Sequence, residues 1–194
     1  MIDVLVVDDH PAVRAGIEAV LRAEPGLRPL AACGSLGEGA WAAERLRPTV
    51  AIVDYELADG HGLDLCRRLA GGPTRTLVYS AYSERVLVAA AMLSGAGGLL
   101  HKSAGADELC DAVRIVARGI RLFPPVGRDV LEVCATRLDA EDLPILGMVV
   151  EGTPHDEIAE VLRLDDEALD LRLDKIVGRL RPATGALKRM PGAA

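Results

Sequence analysis

Five residues stand where they can act together on a phosphoryl group. Asp8 and Asp9 follow the apolar run Ile2 to Val7, Asp54 ends the run Thr49 to Val53, Ser80 ends the run Arg75 to Tyr79, and Lys102 comes two positions after Leu100. Each preceding run is short, apolar and rich in β-branched residues, so it reads as a buried strand rather than a helix. All five groups therefore fall at the carboxyl ends of strands, the edge of an open α/β sheet where ligands bind. Three carboxylates a few ångströms apart repel one another unless a cation sits among them. An all-oxygen set suits Mg²⁺, which keeps several waters and engages phosphate. A carboxylate beside such a cation can attack phosphorus to give an acyl phosphate, while an ammonium and a hydroxyl neutralise the transferred oxygens. Asp54 is the candidate nucleophile, Lys102 and Ser80 are the candidate neutralising groups, and the cluster predicts a bound divalent metal.

The elements that must hold these residues alternate. Strands are expected at Ile2 to Val7, Leu30 to Cys33, Thr49 to Asp54, Arg75 to Ser80 and the short pair Leu99–Leu100. Helices are expected from Pro11 to Ala23, Leu36 to Leu46, Gly62 to Leu69, Glu84 to Leu93 and Ala106 to Arg118. Parallel crossovers need helical connections, so this order predicts a doubly wound, five-stranded parallel sheet of the flavodoxin-like kind with helices on both faces. The alternation stops at residue 118. Residues 119–137 read as a linker, with Phe123-Pro124-Pro125 extended and a helical pattern from Val126. Beyond it only helices are expected: Ala140 to Val150, His155 to Leu162 and Asp166 to Leu180. The second and third form a helix-turn-helix candidate within a small all-α domain, residues 138–181, and a loose tail follows from 182 to 194.

Composition removes several alternatives. At 194 residues and 50% hydrophobic content the chain can bury a full core plus a smaller one. With 29 acidic and 22 basic residues, a formal charge of −7, a general affinity for nucleic acid or membrane is not expected. No apolar run approaches the roughly 20 residues that span a bilayer. Cys33, Cys66, Cys110 and Cys134 lack metal-ligand spacing and follow no leader, so reduced thiols and a cytoplasmic protein are expected. His10, His61, His101 and His155 lack zinc-ligand spacing. A carboxylate-nucleophile phosphatase would place a second aspartate two residues after Asp54, where Glu56 stands, and no glycine-rich phosphate loop is present.

Leu5-Val6-Val7-Asp8-Asp9-His10-Pro11, Asp54, Ser80-Ala81-Tyr82 and the segment Gly95 to Lys102 resemble the receiver domain of bacterial two-component response regulators across residues 1–118. The resemblance implies that a histidine kinase phosphorylates Asp54 and that the domain is not itself an enzyme. It makes Asp9 and Asp54 direct Mg²⁺ ligands, with Asp8 acting through water and the Glu56 backbone carbonyl as a further ligand. Ser80 becomes the switch hydroxyl and Lys102 the phosphate-binding ammonium. Two positions depart from the pattern. Ala58 stands where a proline is usual, and Leu99 stands where an aromatic residue reports phosphorylation, which leaves Tyr82 or a helix shift to carry that signal. A homodimer through the receiver is expected, using the helix with Ala89-Ala90-Ala91-Met92 or the one from Ala106; the small apolar residues 89–92 equally suit a place against the sheet.

Residues 138–180 resemble the LuxR/NarL helix-turn-helix domain at its core positions, Ile145-Leu146, Ile158-Ala159, Leu162, Leu164 and Ile176 among them. This implies transcription regulation through DNA. The surface departs from the family: from Thr136 onward twelve carboxylates oppose eight Lys and Arg, a balance of −4. Asp170, Leu171 and Asp174 occupy positions where related proteins present residues to base edges, and like charges about 4 Å apart cost roughly 1 kcal/mol in water and roughly 4 at an effective dielectric near 20. Arg172, Lys175 and Arg179 fall on one stripe that can hold phosphates. The competing function is a phospho-switched protein-binding module whose helix-turn-helix domain no longer reads DNA by the usual route.

Overall fold

The computed structural model describes residues 1–82 and 84–182. The chain runs β1 (Ile2–Val7), α1 (Pro11–Ala23), β2 (Leu27–Cys33), α2 (Leu36–Leu46), β3 (Val50–Asp54), β4 (Glu56–Leu57), β5 (Gly60–His61), α3 (Gly62–Leu69), β6 (Arg75–Ser80), α4 (Arg85–Leu93), β7 (Gly98–His101) and α5 (Ala106–Ala117). It continues through α6 (Arg128–Ala135), α7 (Leu143–Glu151), α8 (His155–Leu162) and α9 (Asp166–Leu180). Five strands form one parallel sheet in the order β2-β1-β3-β6-β7, the doubly wound arrangement expected.

β3 shows why the sheet is built from these residues. All five of its side chains are buried, because helices cover both faces and leave none for solvent. Val50 and Ile52 join Val4, Val6, Leu77 and Tyr79 under α1 and α5. Ala51 and Val53 join Leu5 and Val7 beneath Ala40 and Ala43 of α2 and Leu65 of α3. The buried polar residues Asp8, Asp54 and Ser80 gather at the carboxyl edge of the sheet.

Three differences from the sequence expectations have local causes. β2 begins at Leu27, three residues earlier than Leu30, because Ile2, Asp3 and Val4 pair with Leu27, Arg28 and Pro29, and a register shift at Val4/Leu5 passes over Leu30. Glu56–Leu57 and Gly60–His61 form a two-residue hairpin that is too short to leave a periodic signal. α7 begins at Leu143 rather than near Ala140, with Pro144 in its first turn, where a missing N–H costs nothing.

The larger departure is at α4. Seven of its nine residues are buried, so it has no solvent face. Ala89, Ala90 and Ala91, expected as surface for a partner or as packing on the sheet, are fully enclosed by this same chain. α4 lies between the sheet and the helical domain, packing on α6, α7 and α9. One apolar cluster runs from Tyr55, Leu63 and Cys66 through α4 to Val130, Cys134, Ile145, Leu169, Leu173, Ile176 and Val177. Fully burying each such leucine or isoleucine contributes roughly 1.5–3 kcal/mol, so the two halves stabilise one another. The expected linker is part of this: α6 supplies Val130 and Cys134, and Leu122 bridges to Gly98 beside β7. All four cysteines are free and buried. Among the described residues no helix is long and apolar enough to cross a membrane. Apart from Pro182, the expected loose tail lies outside the described residues.

Candidate functional site

β1, β3, β6 and β7 bring Asp8, Asp54, Ser80 and Lys102 to the carboxyl edge of the sheet. Asp8 and Ser80 are essentially inaccessible and Asp54 is only 6% exposed. The Lys102 ammonium reaches Asp8 Oδ2 and Asp54 Oδ2, each at 2.7 Å. Asp8 is further held by its own loop: its Oδ1 accepts from the His10 N–H at 2.8 Å, and its backbone carbonyl accepts from Arg14 at 2.6 Å. Asp9 is partly exposed at the rim, with its Oδ1 2.6 Å from His10 Nδ1.

Charge at this edge is under strain from burial. Desolvation pushes the Asp54 carboxyl up to about 6, against the opposing pull of Lys102 and with Asp8 adding to the rise. Burial alone would depress the Lys102 ammonium, but its bonds to Asp54 and Asp8 outweigh that and hold its pKa above the usual value. One ammonium thus serves two buried carboxylates. Asp8, Asp9, His10 and Asp54 offer ligand atoms that all lie within 4.8 Å of one another. An oxygen-rich group with excess negative charge fits a hard divalent cation.

The neighbouring groups are placed by β6 and the hairpin. Ser80 Oγ accepts from the Tyr82 N–H at 3.0 Å. The Tyr82 hydroxyl donates to Glu56, and its ring meets that of Tyr55 edge-on with centroids 5.2 Å apart. Leu99 is half-buried against the shared core, with its N–H donating to the Leu122 carbonyl. Gly62, which opens α3, was not singled out by sequence. A Cβ there would lie 2.0 Å from the Asp54 backbone oxygen, so only glycine lets α3 start against the reactive strand. Arg14 was also missed, although its place four residues after His10 puts it on the first turn of α1 facing the loop.

The candidate nucleic-acid residues meet the chain's own acids. Arg172 pairs with Glu141 at 2.6 Å, Arg179 with Asp139 at 2.6 Å, and Lys175 with Asp139 at 3.4 Å. Asp170 and Asp174 both contact Arg67 of α3, while Leu171 stands 72% exposed.

A parallel sheet with acidic groups, a hydroxyl and an ammonium at its carboxyl edge defines a receiver-type domain, here joined to a helix-turn-helix. Residues 4–114 match the family model for the response regulator receiver domain. The chain is 30% identical over 181 residues to the transcriptional regulatory protein UhpA of Escherichia coli, covering 93% of this chain and 92% of that one. It is 29% identical over 192 residues to the DNA-binding transcriptional activator DevR/DosR of Mycobacterium tuberculosis, covering 93% and 88%. The crystal structure of the response regulator ChrA of a heme-sensing two-component system matches with a TM-score of 0.53 at 26% identity, over 92% of this chain and 89% of that one. The chain belongs to the LuxR/NarL family of two-component response regulators. Its relatives' role in transcription favours that function over a protein-binding module.

Proposed function

We propose that Asp54 is the phosphoacceptor through which a partner histidine kinase, or a small acyl phosphate, controls the output domain. The observation that carries this reading is the single Lys102 ammonium 2.7 Å from buried carboxylate oxygens of both Asp8 and Asp54. An Asp54 oxygen attacks phosphorus, the bond from phosphorus to the donor breaks, and the donor nitrogen or carboxylate leaves with the bonding pair. Asp8, Asp9, Asp54 and the Glu56 backbone carbonyl would hold Mg²⁺, which would neutralise charge on the phosphoryl oxygens. Lys102 exchanges its contact with Asp54 for one with the transferred group, and the Ser80 hydroxyl donates to it. Because Leu99 lacks an aromatic ring to swing, the change is read through Tyr82, whose N–H is bonded to Ser80 and whose hydroxyl is bonded to Glu56.

The output step is DNA binding by α8 and α9 in the cytoplasm, as a homodimer, with Arg172, Lys175 and Arg179 facing phosphates once freed from their carboxylates. Support comes from the relatives' roles and from the helix-turn-helix core. Treatment with acetyl phosphate and Mg²⁺ followed by intact-mass measurement is expected to show one added phosphoryl group, absent in Asp54→Asn and without Mg²⁺. No adduct with acetyl phosphate or phosphoramidate overturns the reading.

A further inference from the structure

At the edge of the sheet opposite Asp54, a cavity of about 220 Å³ lies where the two halves of the molecule meet. Arg75 opens β6 and Ser80 ends it, so the length of that strand, roughly 16 Å at about 3.3 Å per residue, separates the cavity from the phosphoacceptor edge. Its polar lining is Arg75, Arg121, Thr153 and His155. Among the described residues no carboxylate lines it, although the chain as a whole carries a formal charge of −7. The other walls are apolar, from Met92 of α4, Val116 of α5 and Val149 of α7.

Both guanidiniums lie against glycine. A Cβ on Gly119 would come 3.1 Å from Arg75 Nη2, and one on Gly152 would come 3.1 Å from Arg121 Nη1. These glycines have φ of +79° and +90°, a region other residues rarely adopt, so the backbone makes room for two planar heads. Arg121 spends both terminal nitrogens on one acceptor, the Val149 carbonyl, each at 3.1 Å, and rests 5.6 Å from the centre of the Phe123 ring. Burial lowers its pKa from the ordinary arginine value, and no carboxylate offsets that.

We propose that this cavity binds the phosphate dianion of a small molecule, either the free ion or a phosphate monoester. The proposal does not rest on the phosphoacceptor reading of Asp54. A tetrahedral dianion accepts hydrogen bonds from several directions, which suits two guanidiniums from separate elements together with a hydroxyl and an imidazole; a planar carboxylate is satisfied by one guanidinium fork. The apolar walls accommodate a short organic part. A concave space of this size admits a terminal phosphate and excludes the doubly flanked phosphodiester of a duplex.

The test is isothermal titration of the full chain in metal-free buffer, where the carboxylates at the Asp54 edge repel anions. Inorganic phosphate and glycerol 3-phosphate are titrated separately, with acetate and dimethyl phosphate as singly charged controls at matched ionic strength. Saturable one-to-one binding of a dianion is expected; tighter glycerol 3-phosphate identifies a monoester as the ligand, and tighter inorganic phosphate identifies the free ion. Arg75→Gln and Arg121→Gln are each expected to weaken binding about tenfold through the loss of charge-assisted hydrogen bonds. Thr153→Glu, which places a carboxylate in the cavity, is expected to abolish it. Arg75 is exposed at the first position of its strand, so its variant keeps the fold and the test does not depend on Arg121→Gln alone. No saturable binding of either dianion, or binding that survives all three substitutions, overturns the proposal. Equal binding of acetate overturns it too, and equal binding of dimethyl phosphate replaces it with a nucleic-acid contact.

Discussion

The sheet edge and the recognition helix use the same motif, two aspartates on one cation, to different ends. At the edge Lys102 holds Asp8 and Asp54 in a site from which solvent is nearly excluded. On α9 Arg67 is held by Asp170 and Asp174, whose side chains are 62% and 61% exposed. Burial makes the difference. In the dry site charge is expensive, the carboxyl of Asp54 rises to about 6, and a new anion with its cation can rearrange the whole cluster. In the wet site each contact is worth little alone. The first arrangement suits chemistry and the second suits a reversible contact.

The largest way to break this contrast is at Asp54. Asp54→Asn should abolish phosphoryl uptake in the mass measurement while leaving the fold intact, since the amide is isosteric. Next is Lys102→Met. Removing one partner of a buried ion pair leaves uncompensated charge and costs about 3–5 kcal/mol, here reduced toward about 2 because the ammonium is 18% exposed and Asp54 can take up a proton. Urea denaturation at pH 7 checks this. Mg²⁺ should recover part of the loss by binding only the folded state. A variant of unchanged midpoint would place the two sites in the same electrostatic regime.

Gly62→Ala tests the contact between α3 and the reactive strand. The 2.0 Å approach of a Cβ to the Asp54 carbonyl cannot be relieved by a side-chain rotation. Overpacking of this kind costs about 1–3 kcal/mol. The expected result is a destabilised protein whose phosphorylation by acetyl phosphate is also slowed. Loss of stability with an unchanged rate would separate α3 from the site.

The receiver was legible in the sequence because its candidate site follows its strands: each candidate residue stands at the end of a buried run or just beyond it, and parallel pairing aligns the ends. The contact between the domains was not. Ala89 to Met92 read equally well as surface or core, because a helix apolar on every side shows no period that tells which neighbour covers which face. Arg67 gave no sign of its partners, which lie more than a hundred residues away in sequence. The sequence marks Asp170 and Asp174 as unusual for a helix expected to face DNA, but what they hold depends on tertiary placement. The sequence places Arg172, Lys175 and Arg179 on one stripe of α9. Its neutralisation by Asp139, Glu141 and Asp142 depends on how the loop before α7 folds back.

The smallest expected effect on stability lies at that stripe, where it sharpens the contrast most. Glu141 is 80% exposed and Arg172 is 31% exposed, so their pair contributes no more than about 1 kcal/mol and is weakened further by salt. Glu141→Gln should therefore leave the urea midpoint almost unchanged. It removes a charge that repels phosphate and leaves Arg172 only its longer, 3.8 Å contact with Asp142, and each cation that neutralises a phosphate steepens the dependence of log affinity on log salt by about 0.9. Titration of phosphorylated full chain against duplex DNA at several salt concentrations should show a slope steeper by about one in Glu141→Gln than in the parent. An unchanged slope would mean that Arg172 does not meet phosphate. The same exposure that makes the pair worthless for stability leaves its arginine free to change partners, which the buried Lys102 can do only when a new anion enters the site.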